Sequence, residues 1–310
     1  ILMLVVTAGL QSGFYEPGRW HLGHEFVNFS FKIIRPLTLN PLRHCISAIS
    51  LTAITVNLLF WIPFLILFAL IPALIPVAAV RRGCYFCTDL SYRGAVGGNS
   101  FWLQRILGIR MQVTGDLPTS KWQKMLVISN HRSWFDILAL QAVIVPHGPI
   151  IKFLIKKELI YVPVVGWVCL ALNFPRLTRG QKPGGKGKDF DSVTSAVMEM
   201  DNNAFALLNF IEGTRFTPAK REQLKSKYQY LLNPKTGSLR LMLENLPHSD
   251  IVDVTLIYPT DMDFWEILSG RLKQLEVHVT CNPADEITNV KQWVNSRWQE
   301  KEARYQRART

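Results

Sequence analysis

Two short segments hold the residue types that acid–base and anion-binding chemistry requires. The first, Asn130-His131-Arg132-Ser133-Trp134-Phe135-Asp136, sets a histidine and a carboxylate five positions apart. It follows an apolar, β-prone run, Met125 to Ser129, and leads into Trp134 to Val143, where Leu138, Leu140 and Val143 suit a helix. His131 is therefore expected in a strand-to-helix turn. On a regular helix, positions five apart lie roughly 140° from each other, so the two side chains meet only if His131 is in the turn and Asp136 in the first helical turns. A carboxylate that accepts from one ring nitrogen leaves the other free to take a proton, as in a hydrolase triad without its nucleophile. The spacing alone also suits a surface histidine beside an acidic residue at a positive helix end. The second segment, Glu212-Gly213-Thr214-Arg215-Phe216, ends an apolar stretch, Phe205 to Ile211. Glycine permits close backbone approach, threonine adds a hydroxyl, and a guanidinium offers paired hydrogen bonds, so such a strand end can hold a phosphate.

Strands near Met125 to Ser129, Phe205 to Ile211, Ile251 to Tyr258 and Gln274 to Cys281 would position these segments, with helices near Trp134, Asp189 to Met200 and Gly237 to Glu244 covering them. The expectation is an α/β fold, a mixed sheet covered by helices, with His131 and Arg215 at one edge. Ahead of it, Cys45 to Val80 carries no charged side chain. As a helix, its roughly 36 residues would extend about 54 Å against a hydrocarbon core of about 30 Å. Pro63, Pro72 and Pro76 interrupt it, so residues 45–82 are expected to be a membrane anchor, either one long kinked span or a helical hairpin. Lys32, Arg35 and Arg43 precede it and Arg81 and Arg82 follow, which suits a hairpin with both ends cytoplasmic.

Residues 1–44 form an extension of no assigned function, and the initial Ile1 suggests a trimmed or partial chain. His21, His24 and Glu25 lack a further ligand at metal spacing, so no metal site is expected. Residues 287–310 read as an amphipathic helix, docked on the core or lying at a membrane interface. Lys and Arg number 35 against 23 Asp and Glu, a formal net charge of +12 that favours anionic partners. No groove-reading element accompanies it, so nucleic acid is not expected. Basic clusters occur from Arg176 to Lys188 and at Lys220, Arg221, Lys225 and Lys227. The five cysteines show no disulfide framework, and Cys84 and Cys87 have C-x-x-C spacing without a second pair.

Together, N-H-R-S-W-F-D and F-I-E-G-T-R, about eighty residues apart, resemble the first and third blocks of the glycerolipid acyltransferases, the PlsC-like 1-acylglycerol-3-phosphate (lysophosphatidate) acyltransferase family. Lys156-Lys157-Glu158-Leu159, Val162 to Trp167 and Leu177-Thr178-Arg179 resemble the second block, and Val254 to Pro259 the fourth. The third block departs from the family pattern, with Ile211 where proline is usual. The resemblance covers about Phe101 to Cys281, so residues 101–286 are expected to form an acyltransferase domain. Leu268 to Leu272 and Ser296 to Lys301 further resemble a bacterial branch typified by the YihG proteins.

What the resemblance implies is direct acyl transfer from acyl-CoA or acyl carrier protein to the free hydroxyl of a lysophospholipid, first of all lysophosphatidate. His131, oriented by Asp136, would be the base. Glu212, Gly213, Thr214 and Arg215, with Lys157 and Arg179 carried over from the second block, would hold the acceptor. Ser133 is expected to hydrogen-bond locally rather than act as a nucleophile. No resident cofactor or metal is implied. The expected partners are lysophospholipid, acyl thioester, anionic membrane lipids and acyl carrier protein, and the expected place is a bacterial inner membrane with the site on the cytosolic face. Two alternatives remain: another lysophospholipid acceptor, such as lysophosphatidylglycerol, or a non-catalytic basic membrane-bound lipid-binding protein.

Overall fold

The computed structural model describes residues 40–153, 155–156, 160–161, 165–172, 174–177 and 204–309. Lys157, Arg179, most of the basic segment from Arg176 to Lys188 and the helix expected from Asp189 to Met200 lie outside the described residues, as does the chain before Asn40.

Helix α1, Pro41–Leu74, starts where the side chain of Asn40 accepts from the Arg43 amide at 3.0 Å and Pro41 occupies the first turn. It runs through Pro63 and Pro72 without ending. A proline removes one backbone bond, and the bonds on either side carry the helix past it. After three linking residues, helix α2, Ala78–Phe101, returns along α1. A helical hairpin therefore forms, but its second arm reaches well past residue 82 and carries Arg81, Arg82, Asp89 and Arg93. Close approach of the two arms requires small residues: a Cβ at Gly94 would lie 2.3 Å from the Trp61 ring, and one at Gly98 2.3 Å from Asn57 Oδ1. Asn57 donates across the hairpin to the Ala95 carbonyl at 2.7 Å and to Asn99 at 2.9 Å.

Among the described residues, one helix, over Pro41–Pro72, is long and apolar enough to cross a membrane. Most of it is unburied, and Val56, Leu59, Phe60, Leu67 and Leu70 are exposed.

The remaining strands and α-helices described are strands β1 (Arg110–Gly115) and β2 (Met125–Ser129), helix α3 (Phe135–Ile144), strands β3 (Ile151–Phe153) and β4 (Ile155–Lys156), helix α4 (Val165–Ala171), strands β5 (Arg176–Leu177) and β6 (Ala206–Phe210), helices α5 (Pro218–Gln223) and α6 (Gly237–Asn245), strand β7 (Asp250–Ile257), helix α7 (Phe264–Leu268), strand β8 (Gln274–Pro283) and helix α8 (Val290–Arg309). Six strands form one sheet in the order β1-β8-β7-β2-β6-β3, and β4 pairs with β5 apart from it. Strands β7, β2, β6 and β3 are parallel, β8 is antiparallel to β7, and β1 is parallel to β8. The sheet is mixed and helix-covered, as expected.

Every residue of β2 is buried. Met125 and Val127 face a core shared with α1, α2 and α3, whereas Leu126 and Ile128 face one shared with α6 and α8. Burial on both sides explains why this strand reads as a continuous apolar run rather than an alternating one. Helix α2 is tied to the sheet by Tyr92, whose hydroxyl donates to the Ile151 carbonyl, and by Arg93, which donates to the Gly148 carbonyl at 3.0 Å. Of the two settings expected for α8, the structure places it on the core: Val294, Trp298 and Tyr305 are fully buried. Its buried Lys301 pairs with Asp253 of β7 at 2.6 Å, and Arg297 pairs with the other oxygen of the same carboxylate.

Candidate functional site

Strand β2 ends at Ser129 opposite Val254 of β7. At the next residue the ladder gives way to a side chain. Asn130 accepts from the Leu256 amide and donates to the Leu256 carbonyl, each at 2.9 Å, and so clips the end of β2 to β7. The chain then turns, and α3 begins within six residues with Asp136 in its first turn. His131 and Asp136 meet as their spacing requires: Nδ1 lies 2.8 Å from Asp136 Oδ2. This oxygen also accepts from the amides of Arg132 (2.6 Å) and Ser133 (2.9 Å). Oδ1 accepts from the Tyr258 hydroxyl at 2.5 Å. Burial and the neighbouring carboxylate push the Tyr258 hydroxyl well above its ordinary value, so it stays protonated and donates.

An oxygen receiving two amide protons is an acceptor for the third group as well. The proton between the pair therefore resides on Nδ1, and the His131 Nε2 lone pair is left over. The imidazole is stacked on Phe210 at 3.9 Å between centroids and meets Trp134 edge to face at 6.1 Å. Burial lowers its pKa below the ordinary 6.5, against the pull of Asp136, and the charges of Arg215 and Lys220 lower it further. At neutral pH the ring is accordingly a neutral base.

Glu212 follows β6, the strand beside β2. Expected to face an acceptor phosphate, it is 1% exposed and both carboxylate oxygens turn to backbone. Oε2 accepts from the His131 amide at 2.8 Å and Oε1 from the Leu232 amide at 2.9 Å. Desolvation raises its pKa to about 7 despite those donors and Arg132. Glu212 thus fastens the His131 backbone to the loop before α6. Gly213 has φ 71, a left-handed conformation that favours glycine, and its amide closes the turn onto the Phe210 carbonyl.

Thr214 and Arg215 stand on the open side of this turn. The Arg215 guanidinium lies 4.5 Å over the Trp134 ring, and Lys220 Nζ is 2.5 Å from Thr214 Oγ1. Burial lowers the pKa of both cations, and each is repelled or only distantly compensated: Arg215 pushes Lys220 down, whereas Asp136 supports Arg215. Among the described residues neither forms an ion pair with a carboxylate. Two partly desolvated cations beside a neutral imidazole suit an anionic ligand. Ser133 Oγ accepts from the Phe135 amide at 3.3 Å and is buried, so it is occupied within the turn.

The structure therefore brings His131, Asp136, Glu212, Gly213, Thr214 and Arg215 together at the carboxyl ends of β2 and β6. These are central strands, so the site lies across the sheet's end rather than beside an edge strand. Lys157 and Arg179 fall outside the described residues. From the sequence, Asn130, Phe210 and the hydroxyl of Tyr258 carry no assigned role, and Lys220 belongs only to a basic cluster that shields substrate phosphates or keeps a helix soluble. Tyr258 had the one usable signal, a polar aromatic closing an apolar strand just before Pro259. No group of three or more His, Cys, Asp or Glu that would suit a metal occurs among the described residues.

Residues 110–259 match the family model described as Acyltransferase. The chain is 27% identical over 229 residues to lysocardiolipin acyltransferase 1 of Gallus gallus, covering 66% of this chain and 59% of that protein. It is 26% identical over 244 residues to 1-acyl-sn-glycerol-3-phosphate acyltransferase 2 of Brassica napus, covering 67% and 60%. It thus spans less than two thirds of the length of these curated relatives. Among solved structures it is similar to the 1-acyl-sn-glycerophosphate acyltransferase PlsC of Thermotoga maritima, with a TM-score of 0.48 and 14% identity over 78% of this chain and 94% of that one.

Proposed function

We propose that this chain transfers an acyl group from a thioester to the free hydroxyl of a lysophospholipid, with His131 as general base. The observation that carries the reading is the His131–Asp136 pair, with Nε2 lacking a hydrogen-bond partner among the described residues and two cations, Arg215 and Lys220, beside it. The match of residues 110–259 to the acyltransferase family supports it. As the acceptor oxygen attacks the thioester carbonyl, its proton passes to Nε2. A C–O bond forms, the C–S bond breaks, and the imidazolium returns the proton to the departing sulfur. The nucleophile belongs to the substrate, so no enzyme nucleophile or resident cofactor is needed. Acyl-CoA or acyl carrier protein is the co-substrate.

In this reading Asp136 and Tyr258 orient the imidazole, and Glu212 and Gly213 shape the turn that carries it. Thr214, Arg215 and Lys220 hold the acceptor's phosphate, joined by Lys157 and Arg179. Fixing the phosphate orients the hydroxyl against the base. Lysophosphatidate is the acceptor we favour, because two cations stand at the phosphate side. A lysophospholipid with a larger headgroup is the second reading, favoured by the similarity to lysocardiolipin acyltransferase 1. The exposed apolar side chains of α1 supply the attachment to a membrane, which we take to be a bacterial inner membrane approached from its cytosolic face.

The test is product formation by the detergent-purified protein from an acyl-CoA or acyl carrier protein donor and a panel of lysophospholipids, with His131→Ala alongside. The variant is expected to lose activity by roughly 10²- to 10⁴-fold. A wild type inactive across the panel with both donors would overturn the reading.

A further inference from the structure

The family match stops at residue 259, yet the wall behind the His131–Asp136 pair comes from α8, Val290–Arg309. Three α8 side chains reach the segments that hold the pair. The Tyr305 hydroxyl accepts from Asn130 Nδ2 at 3.2 Å and donates to the Leu256 carbonyl, so it joins the clip at the end of β2. Arg309 donates to the Tyr258 carbonyl at 3.0 Å and to Asp261 at 2.8 Å. Glu302 accepts the Gln229 amide at 2.7 Å and also the Tyr230 amide, beside Leu232, whose own amide binds Glu212. Arg132, whose amide bonds Asp136, lies with its guanidinium 4.7 Å over the Tyr305 ring and 2.6 Å from the same Asp261.

Two supports of the imidazole therefore lead back to α8. Tyr258, which donates to Asp136, is held at its carbonyl by Arg309. Asn130, the residue before His131, is held by Tyr305. Tyr305 is fully buried, so it acts through its neighbours rather than on a substrate. We propose that Tyr305 and Arg309 are positioning residues that keep the His131 turn and Tyr258 in register, making α8 part of the working site although it lies outside the family-matched segment. The expected effect on turnover rests on the reading of His131 as base; the expected effect on the imidazole does not.

The experiment uses the whole chain with labelled histidine, comparing wild type with Tyr305→Phe, Arg309→Met, Arg309→Lys and, on the exposed side of α8, Gln306→Ala. The His131 resonances, assigned by their loss in His131→Gln, are followed against pH, and kcat and KM are measured with acyl-CoA and lysophosphatidate. The groups acting on the ring, Asp136, Arg215, Lys220 and, through the backbone, Glu212, are unaltered in all four variants. In Tyr305→Phe and Arg309→Met the bonded Nδ1 proton signal should weaken and the His131 midpoint should rise toward the ordinary imidazole value as water enters. With them kcat should fall about tenfold, with KM for the acceptor changed by less than about twofold. Arg309→Lys should recover part of each loss, and Gln306→Ala should match wild type.

Unchanged His131 resonances and unchanged kcat, with only a lower unfolding temperature, would reduce α8 to a structural prop and overturn the proposal. If Tyr305→Phe does not fold, the two Arg309 variants decide the same question. A wild type without turnover whose His131 signals still respond to Arg309→Met would leave the positioning role standing and remove the acyl-transfer reading.

Discussion

The turns after β2 and β6 lie side by side at the ends of adjacent parallel strands, yet they are partnered in opposite ways. In the first, Asp136 accepts from two amides, an imidazole and a phenol, so one carboxylate ties four groups together. In the second, Arg215 rests on an aromatic ring and Lys220 on a hydroxyl, with no carboxylate paired to either among the described residues. Proton transfer needs a fixed distance and tautomer, which a saturated hydrogen-bond network supplies. Ligand binding needs charge that the protein has not already neutralised. Glu212 joins the two turns: it belongs to the second in sequence and holds the first by its backbone.

The largest change in this contrast is expected from Asp136→Asn. With its carbonyl kept toward His131 and the Arg132 and Ser133 amides, the new side chain turns its NH₂ to the Tyr258 hydroxyl, which must switch from donor to acceptor, and the negative charge that supports an imidazolium is lost. A fall in kcat on the order of 10²-fold or more, with KM little altered, is expected in steady-state kinetics. Near-normal turnover would mean that the first turn does not act as the fixed partner.

Arg215→Met should act on the other side of the contrast. Loss of a charge-assisted contact of about 1.5–3 kcal/mol should raise KM for a phosphate-bearing acceptor by roughly 10- to 100-fold. A loss confined to kcat at saturating acceptor would place Arg215 in the chemical step instead.

The smallest effect is expected from Glu212→Gln, which keeps one acceptor and faces a donor against a donor at the other amide. The cost should be about 1–2 kcal/mol in denaturant unfolding. Its pH dependence has a definite sign. Folding raises the carboxyl from 4.5 to about 7, so the protonated form is favoured in the folded protein. The stability this contributes is complete below about 4.5 and is lost as pH rises through about 7. The gap between wild type and Glu212→Gln should therefore narrow over that range. A gap that widens would show that the charged form is the one held by the fold.

Much of this arrangement was legible beforehand because it is local. Met125 to Ser129 was recognisable as a strand from an uninterrupted apolar run, and the distance along the chain from His131 to Asp136 constrained the pair to a turn and a first helical turn. Strand β1 carried no such signal, since five of its six residues are exposed and it lies at the sheet's edge. Helix α2 was missed because its pattern is set by α1: Gly94 and Gly98, poor helix formers by themselves, are what allow Trp61 and Asn57 to approach. Glu212 looked like a ligand-facing acid because nothing in its neighbourhood along the chain reveals that two amides, from His131 and Leu232, converge on it.

What the sequence determined by itself was the residue types of the candidate site and the elements flanking it, because residue identity, apolar runs and turn spacing act over a few positions. It also marked α1 as an apolar helix, since Cys45 to Val80 lacks a charged side chain. Only the tertiary structure decided which groups share the Asp136 carboxylate, which face of α8 closes the site, and which cations remain without an acidic partner among the described residues. Tyr258 and Asp136 are 122 positions apart, and Tyr305 and Asn130 are 175. Contacts at such separations are set by how strands order in a sheet and how a helix packs over it, and a pattern read along the chain does not contain that order.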